Sequence, residues 1–117
     1  MNLPHKEPLL FAKEILSRSD EKVEVLCMFP LVPTLAMFIE AAAQSSAAFN
    51  VEKEAKVGFL TMATNIEYVT SIDNLEYVFN IYPEAEVGSY KKFFFVAIDK
   101  NTQIKSVQGN FTLAVKE

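Results

Sequence analysis

The chain is 117 residues long, half of them hydrophobic, with ten Phe, four Tyr and a formal net charge of -4. That length fits one hydrophobic core and excludes two, and a charged fraction of 22% with no long polar tract excludes a disordered chain. A single arginine, Arg18, and the acidic balance argue against a nucleic-acid binder, which would carry a basic face.

In chain order, "LPHKEP" (3–8) is turn-like, because Pro4 and Pro8 limit regular structure. "LLFAKEILS" (9–17) and "EKVEVLCMF" (21–29) flank the polar "RSDE" and read as a hairpin. Val23 and Val25 alternate with Lys22 and Glu24, the period of a half-buried strand. From Pro33 to Phe49, "PTLAMFIEAAAQSSAAF" predicts a helix, with Pro33 near its start, where a missing N–H is not needed, and Asn50 as its stop. This helix is apolar or small nearly all round, so it is expected to be wrapped by the rest of the chain.

Four later segments read as strands: "VGFLTMATNIEYV" (57–69), "LEYVFNIYP" (75–83), "YKKFFFVAID" (90–99) and "IKSVQGNFTLAV" (104–115). Turns fall at "SIDN", "EAEVGS" and "DKNTQ". The expected product is one α+β domain over residues 1–117, a curved, mostly antiparallel sheet around one long central helix.

Cys27 is the only cysteine, which excludes an intrachain disulfide and suits a reducing compartment. The opening "MNLPHKEPLLF" lacks the basic and apolar regions of a signal peptide. The longest uncharged run, Leu26 to Ile39, spans 14 residues and contains two prolines, too short and broken for a membrane span. A cytoplasmic protein is expected. One His and one Cys make no metal site, and no Gly-rich phosphate loop or Ser-His-Asp arrangement is present, so no cofactor is expected.

Against that background one letter stands out in "CMFPLVPTLAMFIEAAAQ" (27–44). Glu40 lies among aliphatic and small residues, where an ionised carboxylate is costly unless it is paired or faces a site. Gln44, four residues on, shares its helix face. Three segments together resemble the hot-dog fold 3-hydroxyacyl-acyl-carrier-protein dehydratases of type II fatty acid synthesis. "LPHKEPLLF" (3–11) is similar to that family's N-terminal Leu-Pro-His segment, "FPLVP" (29–33) to its Phe-Pro-Gly-x-Pro, and "EAAAQ" (40–44) to its Glu-x-x-Ala-Gln on the central helix.

The resemblance implies a hot-dog fold, a homodimer with sites built across the subunit interface, and an acyl thioester carried by acyl carrier protein or coenzyme A. It implies catalytic roles for Glu40 and Gln44. The family places its catalytic histidine directly before Phe-Pro, where this chain has Met28, which cannot move a proton. Losing one acid–base partner typically costs ~10²–10⁴ in rate. His5 aligns with the family's N-terminal histidine; it is either a structural residue bonded to backbone or a relocated base. Two readings therefore stand: an enzyme on acyl thioesters, either a divergent dehydratase or a thioesterase using Glu40, and a non-catalytic acyl- or carrier-binding protein, including a subunit paired with an active homologue.

Met28, Phe29, Pro30, Met37 and Phe59 are candidates for an acyl tunnel, although core packing accounts for such residues equally well. Lys91 and Lys92, with Lys53 and Lys56, are candidate docking charges for an acidic carrier. Cys27, on an alternating strand, faces away from Met28 and reads as a small buried hydrophobe. The expected dimer pairs through a strand edge, "GFLTMATN" (58–65).

Overall fold

The structure is a computed structural model that describes residues 10–50 and 58–115, apart from the side chains of 50, 59 and 115. Six strands and one helix follow in the expected order. β1 (Ala12–Arg18) and β2 (Val23–Met28) precede α1 (Leu35–Ser45), which continues as a 3-10 turn over Ser46–Asn50. β3 (Gly58–Tyr68), β4 (Glu76–Val87), β5 (Tyr90–Asp99) and β6 (Lys105–Val115) complete the elements of the described residues. The strands form one antiparallel sheet in the order β1-β2-β4-β5-β6-β3. It curls around α1, the sheet-and-helix architecture of a hot dog.

α1 begins at Thr34, not at Pro33. The Thr34 hydroxyl accepts the Met37 N–H at 3.2 Å, and the Met37 Sδ accepts the Thr34 N–H at 3.5 Å, so a thioether fills the place that Glu or Gln takes in a capping box. The α-helix stops at Ser45, short of the expected Phe49. The hydroxyls of Ser45 and Ser46 donate back to the carbonyls of Ala41 and Ala43, which competes with continued α-helical geometry and leads into the tighter turn.

One stripe of α1 is buried: Phe38, Ala41, Ala42 and Ser45, at the spacing of one helix face. The alanines let the sheet approach, and Phe38 inserts between Phe29, Tyr77 and Phe79, with ring centroids 5.4, 5.0 and 5.8 Å away. The expectation of a helix wrapped on every side is corrected here. Ala36, Glu40 and Ala47 are exposed, because one curved sheet covers only the face it touches.

β4 also departs from expectation, running on to Val87 where a turn was predicted from Glu84. β2 gives out opposite Ile81, so beyond that point β4 has no neighbour on that side and the missing N–H of Pro83 removes no ladder bond. A bulge between Pro83 and Ala85 absorbs Glu84, and the turn shrinks to Gly88 and Ser89. Gly88 has φ +61° at the first turn position, as a type II′ hairpin requires. The β4–β5 hairpin thus projects past β2.

At the opposite edge, β3 bulges between Thr64 and Glu67, with Asn65 at φ +54°. Ile66 is thereby laid over Gly109 of β6. A Cβ at position 109 would lie 2.9 Å from the Ile66 Cα and 3.2 Å from the Asn65 carbonyl oxygen, so backbone, not a movable side chain, demands glycine there.

Candidate functional site

A cleft of about 720 Å³ opens between α1 and the projecting end of the sheet. Glu40, Ala43, Gln44 and Ala47 form its helical wall, Phe93, Leu60 and Leu113 its apolar floor, and Lys91, Lys92, Glu84 and Glu86 its rim on the β4–β5 hairpin. Asp20, from the β1–β2 turn, closes one end. The cleft exists because β4 and β5 outrun β2.

Glu40 is exposed in the single chain and borders this cleft. Its orientation is set by Gln44. The Gln44 Oε1 accepts two backbone N–H groups at the start of β1, from Phe11 at 2.7 Å and Ala12 at 3.1 Å. With the oxygen committed, the amide nitrogen must face the other way, and Nε2 donates to the Glu40 Oε2 at 3.4 Å. The two motif residues expected to share a helix face do so, as a relay from β1 backbone through Gln44 to the carboxylate.

The expected tunnel residues lie elsewhere. Phe29 is buried in the aromatic core, 4.8 Å in ring centroid distance from Phe11 and 5.9 Å from Tyr77. Met37 caps α1, and Pro30 is exposed on the loop before it. Met28 is 40% exposed and follows Cys27 on an alternating strand, so it points to the sheet face away from α1. None of these four borders the cleft. His5, Lys53, Lys56 and the Phe59 side chain lie outside what the structure describes.

Cys27 faces inward and is fully buried, with its Sγ 3.3 Å from the Ser45 Oγ. Because the Ser45 hydroxyl donates to Ala41, the thiol is the donor in that pair. Burial pushes the Cys27 thiol up to about 12, the Ser45 contact offsetting only part of the effect. This is a core residue and no nucleophile. Among the described residues no group of three His, Cys, Asp or Glu is placed to hold a metal ion. No helix among them is long and apolar enough to cross a membrane.

Lys91 and Lys92, expected as docking charges, do stand at the cleft, but in acidic company. Glu86 is opposite Lys91 in the β4–β5 register, and Asp20, Glu40 and Glu84 make the carboxylates outnumber the lysines. Sequence reasoning missed Glu84, Glu86 and Asp20. The signal available was Gly88-Ser89: a two-residue turn there pairs Glu86 with Lys91 directly.

No family model matches this sequence, and no curated protein matches it. Solved structures do. A chain of the dehydratase heterocomplex ApeI:P from Xenorhabdus doucetiae superposes with a TM-score of 0.75 at 14% identity, over 98% of this chain and 88% of that one. A Streptococcus mutans protein solved with acetyl-CoA bound gives 0.70 at 11% identity, over 98% and 97% of the two chains. A thioesterase from Haemophilus influenzae gives 0.67 at 12% identity, over 89% and 78%. The chain has the hot-dog fold. At these identities the likeness is one of fold.

Proposed function

We propose that this hot-dog protein binds acyl thioesters, carried by coenzyme A or an acyl carrier protein, in the cleft beside Glu40. The observation that carries the reading is the placement of Glu40: a carboxylate held by Gln44 at the mouth of a cleft whose floor is Phe93, Leu60 and Leu113. The acyl chain would lie on that floor and the thioester beside the carboxylate. A carboxylate positioned in this way is a general base for water. Water adds to the thioester carbonyl as Glu40 takes its proton, and the thiolate leaves and recovers that proton. Hydrolysis therefore needs no histidine. The solved relatives that include a thioesterase and an acetyl-CoA complex support this class of ligand.

A second reading, dehydration of a 3-hydroxyacyl thioester, requires a second acid–base group. Met28, at the position of the family's histidine, is not one, and it faces away from α1 within its own chain. The missing group would come from a second, different subunit, as the likeness to a dehydratase heterocomplex suggests. In either case we propose pairing through β3, an edge strand on which Leu60 and Met62 are 41% and 56% exposed. Lys91 and Lys92 are the proposed carrier contacts.

The deciding experiment measures binding and turnover of acyl-CoA and acyl-carrier thioesters by the wild type and Glu40→Gln. Retained binding with turnover reduced about 10²–10⁴-fold supports Glu40 as the base. Binding with equal background turnover in both proteins leaves a carrier-binding subunit. Absence of binding to either thioester refutes the proposal.

A further inference from the structure

The aromatic core runs out of the interior and into the cleft. Phe79 stacks on Phe95, Phe95 meets Phe111, and Phe111 stacks on Phe93 with ring centroids 5.1 Å apart and planes 22° apart. Phe49 then stacks on Phe93 at 5.9 Å, again at 22°. Phe111 and Phe93 are buried, whereas Phe49 is half-buried and lines the cleft beside Phe93. Phe93 carries a ring from each neighbour; among the described residues Phe49 stacks on no ring but Phe93, so it is the last of the row. Pro83, opposite Phe93 in the β4–β5 register, adds a second flat apolar surface at this end of the cleft. Offset stacking of flat rings is favourable beyond the area it buries, and a row that ends at a cavity offers it to a ligand.

We propose that the cleft selects acyl chains that end in an aromatic ring, and that Phe49 is the residue that reads the ring. This rests on the thioester site beside Glu40 and adds which acyl group that site takes. The spacing sets the length of the chain. From Glu40 through the end of α1 and the 3-10 turn to Phe49 the axis advances about 15 Å. Both side chains border the same cleft, so each spans part of that distance. A ring joined directly to the thioester falls short of Phe49, whereas one on a spacer of about five carbons reaches it. Leu60 and Leu113 on the floor take the spacer. A saturated ring of the same carbon count is thicker and has no π face, so it gains the burial but not the stacking.

The test compares 6-phenylhexanoyl with 6-cyclohexylhexanoyl thioesters, each presented on coenzyme A and on an acyl carrier protein. Affinity, and kcat/KM where turnover occurs, favour the phenyl compound by about 3–10-fold in the wild type. Phe49→Leu keeps an apolar side chain without a ring face, and the ratio falls to about one while the cyclohexyl compound binds as before. Phe49→Trp keeps the preference. The wild-type chain has no tryptophan, so that variant's single indole also reports the ligand, its emission changing more with the phenyl than with the cyclohexyl compound. Equal affinities for the two compounds in the wild type overturn ring selection and leave thioester binding standing. A preference that persists in Phe49→Leu overturns the role of Phe49. Absence of binding by either compound on either carrier refutes the thioester site itself, and this inference with it.

Discussion

Replacing Gln44 with Leu removes an acceptor from two backbone N–H groups while keeping the side chain's approximate volume. Phe11, which supplies one of them, is 3% exposed, so its N–H has little access to water once Gln44 is gone. An unsatisfied buried donor costs about 1–3 kcal/mol, and the second, from Ala12, is partly buried, giving a loss of about 2–4 kcal/mol. At a urea slope of about 2 kcal/mol/M, the unfolding midpoint falls by about 1–2 M. Gln44→Glu separates the two jobs of this side chain. Its carboxylate still accepts both N–H groups, but it places an oxygen where Nε2 had donated to Glu40. At neutral pH the two carboxylates repel; at low pH they share a proton as an O–H···O bond. Relative to wild type, Gln44→Glu is therefore destabilised at neutral pH and recovers on acidification through the carboxylate range. Urea titrations of the three proteins at two pH values measure this. A Gln44→Leu midpoint equal to wild type would refute the account of Gln44 as the tie between β1 and α1.

Asp99 gives a pH dependence of its own. Burial pushes its carboxyl up, but the donors from the Asn74 side chain at 2.6 Å and the Asn101 and Thr102 N–H groups at 2.8 and 3.2 Å together hold it below the usual range. Its folded pKa lies below its unfolded one, so its contribution is complete above the ordinary carboxylate range and is lost as pH falls through the folded value. Asp99→Asn is less stable than wild type at neutral pH, with the gap closing in acid; parallel thermal melts from neutral to acid pH check it. Cys27 resists thiol reagents in the native protein and reacts only on unfolding, so a fast reaction without denaturant would contradict its placement.

Most of the architecture is legible in the residues because periodicity and burial coincide. The run "YKKFFFVAID" gives β5 to the residue, "EKVEVLCMF" contains β2 with two residues to spare before it and one after, and the alanines of α1 mark the face against which a sheet can close. The motif "EAAAQ" places Glu40 and Gln44 together because a helix fixes that geometry locally. What could not be read depends on lengths compared across the sheet. β4 outruns β2, and that mismatch tolerates Pro83, extends the hairpin and creates the cleft. The same comparison explains why Phe29 is core: its position is set by Phe38 and Tyr77, which arrive from distant segments. The exposure of Glu40 likewise depends on how far one sheet can wrap.

The bulge that seats Ile66 on Gly109 indexes β3 against β6. Sliding the strand by one residue would turn its inward side chains outward and drive backbone into backbone at Gly109. The outermost ladder of N–H and C=O groups is thus presented in a single reading frame. A neighbouring strand that docks there meets Leu60 and Met62 at fixed heights, and misaligned, aggregation-prone pairings lose their template.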